Sequence, residues 1–145
     1  INSSDRTSIA LRNASGTMVG NVGVDNSNAM FNTSSDYRLK ENVDYTFDAT
    51  TRLKQLKPAR FNFIAQPNNT IDGFIAHEVA DVVPNAVTGV KDATETYTDE
   101  NGNEQTRILS QGIDHSKLVP LLTAALQEAI TEIEILKEKV EALEN

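Results

Sequence analysis

Leu122-Thr123-Ala124-Ala125-Leu126-Gln127-Glu128-Ala129-Ile130-Thr131-Glu132-Ile133-Glu134-Ile135-Leu136-Lys137-Glu138-Lys139-Val140-Glu141-Ala142-Leu143 is the stretch that decides how this chain is built. Leu122, Leu126, Ala129, Ile133, Leu136, Val140 and Leu143 follow one another at alternating steps of four and three, an unbroken heptad seam. Leu126, Ile133 and Val140 take the a positions, and Leu122, Ala129, Leu136 and Leu143 the d positions. Pro120 belongs in the first turn, where its missing N–H costs nothing, and Asp114 or Ser116 is the expected cap. From there to the end such a helix runs about 40 Å at 1.5 Å per residue. A lone helix of this length is marginal in water, so its stripe either packs back on its own domain or meets other copies of the chain. β-branched residues at a with Leu at d favour two strands, whereas Ala129 and the extra apolar Ile130 at e widen the stripe and favour more. The seam leaves the number undecided.

Immediately upstream, residues 34–113 read as a small mixed domain. Asp48 is the expected N-cap of a short helix through Leu56 that stops before Pro58. Ala59–Ile64 and Ile71–Ile75 read as strands around the loop Gln66-Pro67-Asn68-Asn69, and a short helix is predicted around His77–Val82, ending before Pro84. Val87–Val90 is a candidate to pair with the second of those strands. Lys91–Gln105 is polar and acidic, with Asn101-Gly102 as a turn signal, and Arg107–Ile113 is the expected returning strand.

Residues 1–33 are rich in Asn, Ser, Thr and Gly, and Asn13-Ala14-Ser15-Gly16 reads as a turn between two short strands. Strands so short and polar do not bury a core within one chain, and a single hairpin is marginal. They suit the end of an extended β-structure to which several chains contribute. The chain starts at Ile1 rather than Met, which points to a fragment of something longer.

Composition narrows the function. The 145 residues carry a net charge of −8, which argues against binding a nucleic-acid backbone. No apolar run suits a bilayer and no signal peptide is present, so no membrane partner is expected. Cysteine is absent, which excludes disulfides and thiolate chemistry, and His77 and His115 stand far apart, so neither a metal nor a cofactor is expected.

The chemical candidate is Ser35-Asp36-Tyr37-Arg38-Leu39-Lys40, which places a hydroxyl and an amine five positions apart in a polar, turn-prone stretch. A serine becomes a useful nucleophile when a neighbouring base takes its proton, and lysine is such a base once burial or nearby positive charge makes its neutral form accessible. Arg38 is the candidate for that charge. Asp36 would orient the Lys40 ammonium or cap the next turn, though its carboxylate opposes deprotonation of the lysine. The bland alternative is a solvated loop.

Three linked segments carry a resemblance: Thr33-Ser34-Ser35-Asp36-Tyr37-Arg38-Leu39-Lys40-Glu41-Asn42-Val43, Gly73-Phe74-Ile75-Ala76-His77-Glu78-Val79 and Leu118-Val119-Pro120-Leu121-Leu122-Thr123-Ala124-Ala125-Leu126-Gln127-Glu128. In this order they resemble the C-terminal intramolecular chaperone domain of bacteriophage tail spikes and fibres, shared by endosialidase tail spikes, neck appendages and myelin regulatory factor. His77 and His115 depart from the family pattern, which tends to Gln and to an aromatic residue there.

The resemblance implies an α+β fold: a small mixed domain with a long C-terminal coiled-coil helix, trimeric, preceded by the end of a β-rich fibre stalk. Residues 1–35 would end the stalk and residues 36–145 form the chaperone, split into a head over 36–113 and a coil over 114–145. It implies a homotrimer that registers the upstream stalk of the same chain and then releases itself by single-turnover autoproteolysis. Ser35 would be the nucleophile, Lys40 the general base, Arg38 a support and Ser35–Asp36 the cut. The setting implied is a phage tail precursor assembled in the host cytoplasm, with the chaperone part released after cleavage. The alternative is a permanent, non-cleaving trimeric tip that binds a host receptor, with the loop from Asp92 to Thr106 as either its binding surface or a solvated hairpin.

Overall fold

The computed structural model describes residues 5–25 and 28–144; the extremities of the expected stalk and coil, residues 1–4 and 145, lie outside them. Two compact units divide the chain, Ile1–Tyr45 and Thr46–Asn145. This division by packing falls later than the expected functional boundary after Ser35, so residues 36–45 cluster with the upstream strands.

The first unit is an antiparallel sheet of β1 (Asp5–Arg12), β2 (Met18–Asp25) and β3 (Asn28–Thr33), in that order. The expected turn is present. The Asn13 side-chain oxygen accepts from the amides of Ser15 at 3.1 Å and Thr17 at 2.9 Å, and Gly16 takes the left-handed conformation, φ +79°, that the reversal needs. The third strand is a finding: Asn28–Thr33 pairs with β2 from Asp25↔Asn28 to Gly20↔Thr33. Among the described residues this unit has no buried large side chain; Gly20 and Gly23 are buried, while Ile9, Leu11 and Phe31 are exposed.

The second unit has the α+β character expected. Asp48 caps α1 (Ala49–Leu53), accepting from the Thr51 amide at 3.1 Å. β4 (Ala59–Asn62) and β5 (Thr70–Gly73) form a hairpin, and α2 (Ala76–Ala80) ends before Pro84. β6 (Val87–Thr88) does not pair with β5; its partner is β9 (Gly112–Ile113), far along the chain. Between them β7 (Thr94–Thr98) and β8 (Glu104–Ile108) make the acidic hairpin, so the predicted returning strand is split in two. Its turn repeats the device at Asn13: Asp99 accepts from the amides of Asn101 and Asn103, both at 2.9 Å, and Gly102 has φ +82°.

Asp114 caps a 3-10 turn over His115–Leu118, accepting from the Ser116 amide at 3.0 Å and hydroxyl at 2.6 Å, and α3 (Val119–Glu144) follows directly. Its 26 residues span about 39 Å. Two apolar stripes share this helix. Leu121 and Ala125, with Leu118 just before them, are buried in the core with Ala49, Leu56 and Val79. The heptad seam is turned away from that core, leaving Leu126 62% and Ile133 51% exposed.

Candidate functional site

The candidate site follows β3 without a gap. Thr33 pairs with Gly20, and the next amide, that of Ser34, donates to the Val19 carbonyl at 2.9 Å, which adds one more rung to the sheet. Asp36 then caps a 3-10 turn over Tyr37–Leu39, its carboxylate accepting from the Arg38 amide at 2.9 Å. Short polar side chains at such a position favour a turn, because they offer the backbone a substitute for ladder bonds. The Leu39 amide donates to the Asp36 carbonyl and the Lys40 amide to the Tyr37 carbonyl, both at 3.1 Å. This single turn folds the chain back far enough for the Lys40 ammonium to donate to Ser35 Oγ at 2.8 Å.

The structure therefore brings Ser35 and Lys40 together. Arg38 pairs with Asp36. The guanidinium grips Asp36 through two parallel bonds, Nε to Oδ1 at 3.0 Å and Nη2 to Oδ2 at 2.6 Å. That grip, with the Arg38 amide, holds the Asp36 carboxyl below its ordinary value, and the carboxylate raises the guanidinium. Asp36 is thus a cap and a counter-ion to Arg38, and the cation is already answered by an anion. Ser35 and Lys40 are both exposed in the single chain, as are Tyr37 and Leu39 beside them.

No cluster of metal-ligating side chains occurs among the described residues. His115 lies against the Phe74 ring, 6.4 Å between centroids, which gives it a packing role. One long-range structural contact had no sequence signal. Glu128, on α3, accepts from the Thr50 amide at 3.0 Å, the Ala49 amide at 3.4 Å and the Thr50 hydroxyl, so it ties the long helix to the start of α1. Those donors, the Thr50 hydroxyl first, hold its carboxyl below the usual range, against partial desolvation and the neighbouring Asp48. Residues nearly eighty positions apart give no pattern to read.

None of the curated proteins matches the chain. Residues 35–88 match the family described as chaperone of endosialidase, a segment that opens on Ser35 itself. A phage-tail-associated family fits a virion component, and no helix among the described residues is long and apolar enough to cross a membrane. Over this segment, less than half of its length, the chain is similar to the intramolecular chaperone domain of phage tail spikes, and the match supports a chaperone role in such spikes.

Proposed function

We propose that three copies of the chain associate through their long helices, hold the upstream strands in register, and then free themselves by one self-inflicted cut. The observation that carries this reading is the 2.8 Å hydrogen bond between Lys40 and Ser35, within the family-matched segment. The exposed heptad seam supports association, because an apolar stripe of this length gains only by meeting another. Bringing three stalk ends together raises their effective concentration and shortens the search for register.

Assembly supplies what the single chain lacks, a dry surrounding for the Lys40 amine. The neutral amine takes the proton from Ser35 Oγ, and the oxygen attacks a peptide carbonyl carbon. As the C–N bond breaks, Lys40 returns the proton to the leaving nitrogen. Water then hydrolyses the ester and regenerates the hydroxyl. Attack on the serine's own carbonyl would close a four-membered ring, so a cut at Ser35–Asp36 calls for the serine of a neighbouring copy. Attack on the Ser34 carbonyl closes a five-membered ring and is feasible within one chain. The preferred site is Ser35–Asp36. With the stalk's nucleus gone, its persistence becomes kinetic.

Purification of the unaltered chain tests this directly. Two fragments are expected, reduced to one intact band by Ser35→Ala or Lys40→Ala, and intact-mass measurement separates the two candidate bonds by one serine. An unaltered, assembled chain that stays whole would instead favour the permanent receptor-binding tip.

A further inference from the structure

The heptad seam fixes which face of α3 meets another copy, but not at what height. Its a and d residues recur every seven positions, so a helix slid by one heptad, about 10 Å, still sets apolar residues against apolar residues. The charges beside the seam break that tie. With Leu126, Ile133 and Val140 at a, the flanking g positions hold Glu132 and Lys139, and the e positions hold Lys137 and Glu144. All four side chains are exposed. We propose that these four residues are the specificity determinants of a parallel, level contact between copies of this chain. In it Glu132 meets Lys137 of the second copy, and Lys139 meets Glu144 of the second copy.

In a parallel coil the g residue of one helix faces the e residue of the following heptad on its neighbour, and such pairs set partner and orientation. Level helices therefore bring Glu to Lys and Lys to Glu. A helix slid by one heptad brings Glu132 to Glu144 on one side and Lys139 to Lys137 on the other, like against like. The helix itself offers these charges little. Its surface neighbours lie three and four positions apart. At those spacings Lys139 finds only Ile135, Leu136, Ala142 and Leu143, while Glu132 and Glu144 find apolar residues or another Glu. Lys137 alone has acidic neighbours, Glu134 and Glu141. One heptad upstream the pattern ends, because Ala125 holds the g position and is buried in the head core. Charge pairing thus begins where the helix leaves its own head. Exposed pairs are individually weak, but repulsion in the slid state adds to attraction in the level one.

This inference rests on association through the long helices. The test uses the full chain, carrying Ser35→Ala throughout, in sedimentation equilibrium at low and high salt. Compared with it are a double reversal, Glu132→Lys with Lys139→Glu, and a fourfold reversal that adds Lys137→Glu and Glu144→Lys. Both keep the net charge. At low salt the double reversal is expected to lower the association constant at least about tenfold, and the fourfold reversal to restore most of it. High salt should shrink the difference. Separately, Leu143→Cys in this cysteine-free chain should give covalent pairs on oxidation. Only a parallel, level contact brings that position to its own counterpart, since a one-heptad slide exceeds the Cα reach of a disulfide, about 7 Å.

A double reversal that associates as before, or a fourfold reversal as weak as the double, overturns the assignment and leaves association standing. Should the double reversal prove insoluble, Leu143→Cys decides: an associated chain that forms no covalent pair overturns the level contact. A Ser35→Ala chain that stays single at every concentration overturns both association and this inference.

Discussion

The sheet unit, Ile1–Tyr45, and the head unit, Thr46–Asn145, solve opposite problems. In the sheet, shape comes from hydrogen bonds alone: a side-chain-capped turn, two ladders and a further rung at Ser34, with Ile9, Leu11 and Phe31 left in water. In the head, shape comes from burial, with Val79 and Leu118 almost wholly enclosed. A three-stranded sheet with no apolar interior among its described residues is at the edge of stability, whereas the head owns a core. The contrast teaches where each unit depends on others. The sheet leaves apolar side chains exposed along its length, and the head chiefly along the distal part of α3.

The largest effect that would sharpen this contrast is chemical and confined to the sheet unit. Lys40→Ala is expected to slow self-cleavage about 10²–10⁴-fold, the usual contribution of a general base, and Ser35→Ala to leave one intact mass. Neither change should move the head's urea midpoint. Next in size is a change confined to the head. Leu118→Ala should lower the head's unfolding free energy by about 2–5 kcal/mol in urea titration, since the side chain is buried in the core.

A smaller effect on the fold, but a decisive one on assembly, is expected from the seam. Leu126→Ala with Ile133→Ala removes side chains that lie half in water. The cost to the isolated chain should stay within about 0.5 kcal/mol, while sedimentation equilibrium shifts toward single chains. Equal losses in folding and assembly would break the comparison. The smallest effect is acid sensitivity. Asp99, held below its ordinary value chiefly by the Asn103 amide, and Glu128, held there chiefly by the Thr50 hydroxyl, favour the folded state when ionised. Their stabilisation is complete above the ordinary carboxylate range, about 4, and is lost as pH falls through the lowered folded values. Melting temperature should therefore fall with acidification through and below that range, and Glu128→Gln should flatten part of the slope.

Much of this was legible because its causes are local. Asn13–Gly16 and Asn101-Gly102 declare turns by residue type, Asp48 declares a cap, and the step of four and three declares α3. The Ser35–Lys40 approach is local too, closed by one turn. What stayed hidden is either long-range or ambiguous. β6 and β9 are two residues each and meet across the whole acidic hairpin. β3, Asn28-Ala29-Met30-Phe31-Asn32-Thr33, lacks β-branched residues except at its end, so neither propensity nor alternation marks it. On α3 the heptad seam masked a second stripe. Leu118, Leu121 and Ala125 also step by three and four, and only packing reveals that these, with Glu128, hold the helix to the head.

The rung formed by Ser34 has one more consequence. A chain severed on either side of Ser35 keeps every bond of the β2–β3 ladder, and its new carboxylate stands at most one residue past the last of them. A strand cut there would end flush, with no dangling tail of unsatisfied amides to recruit a stray strand.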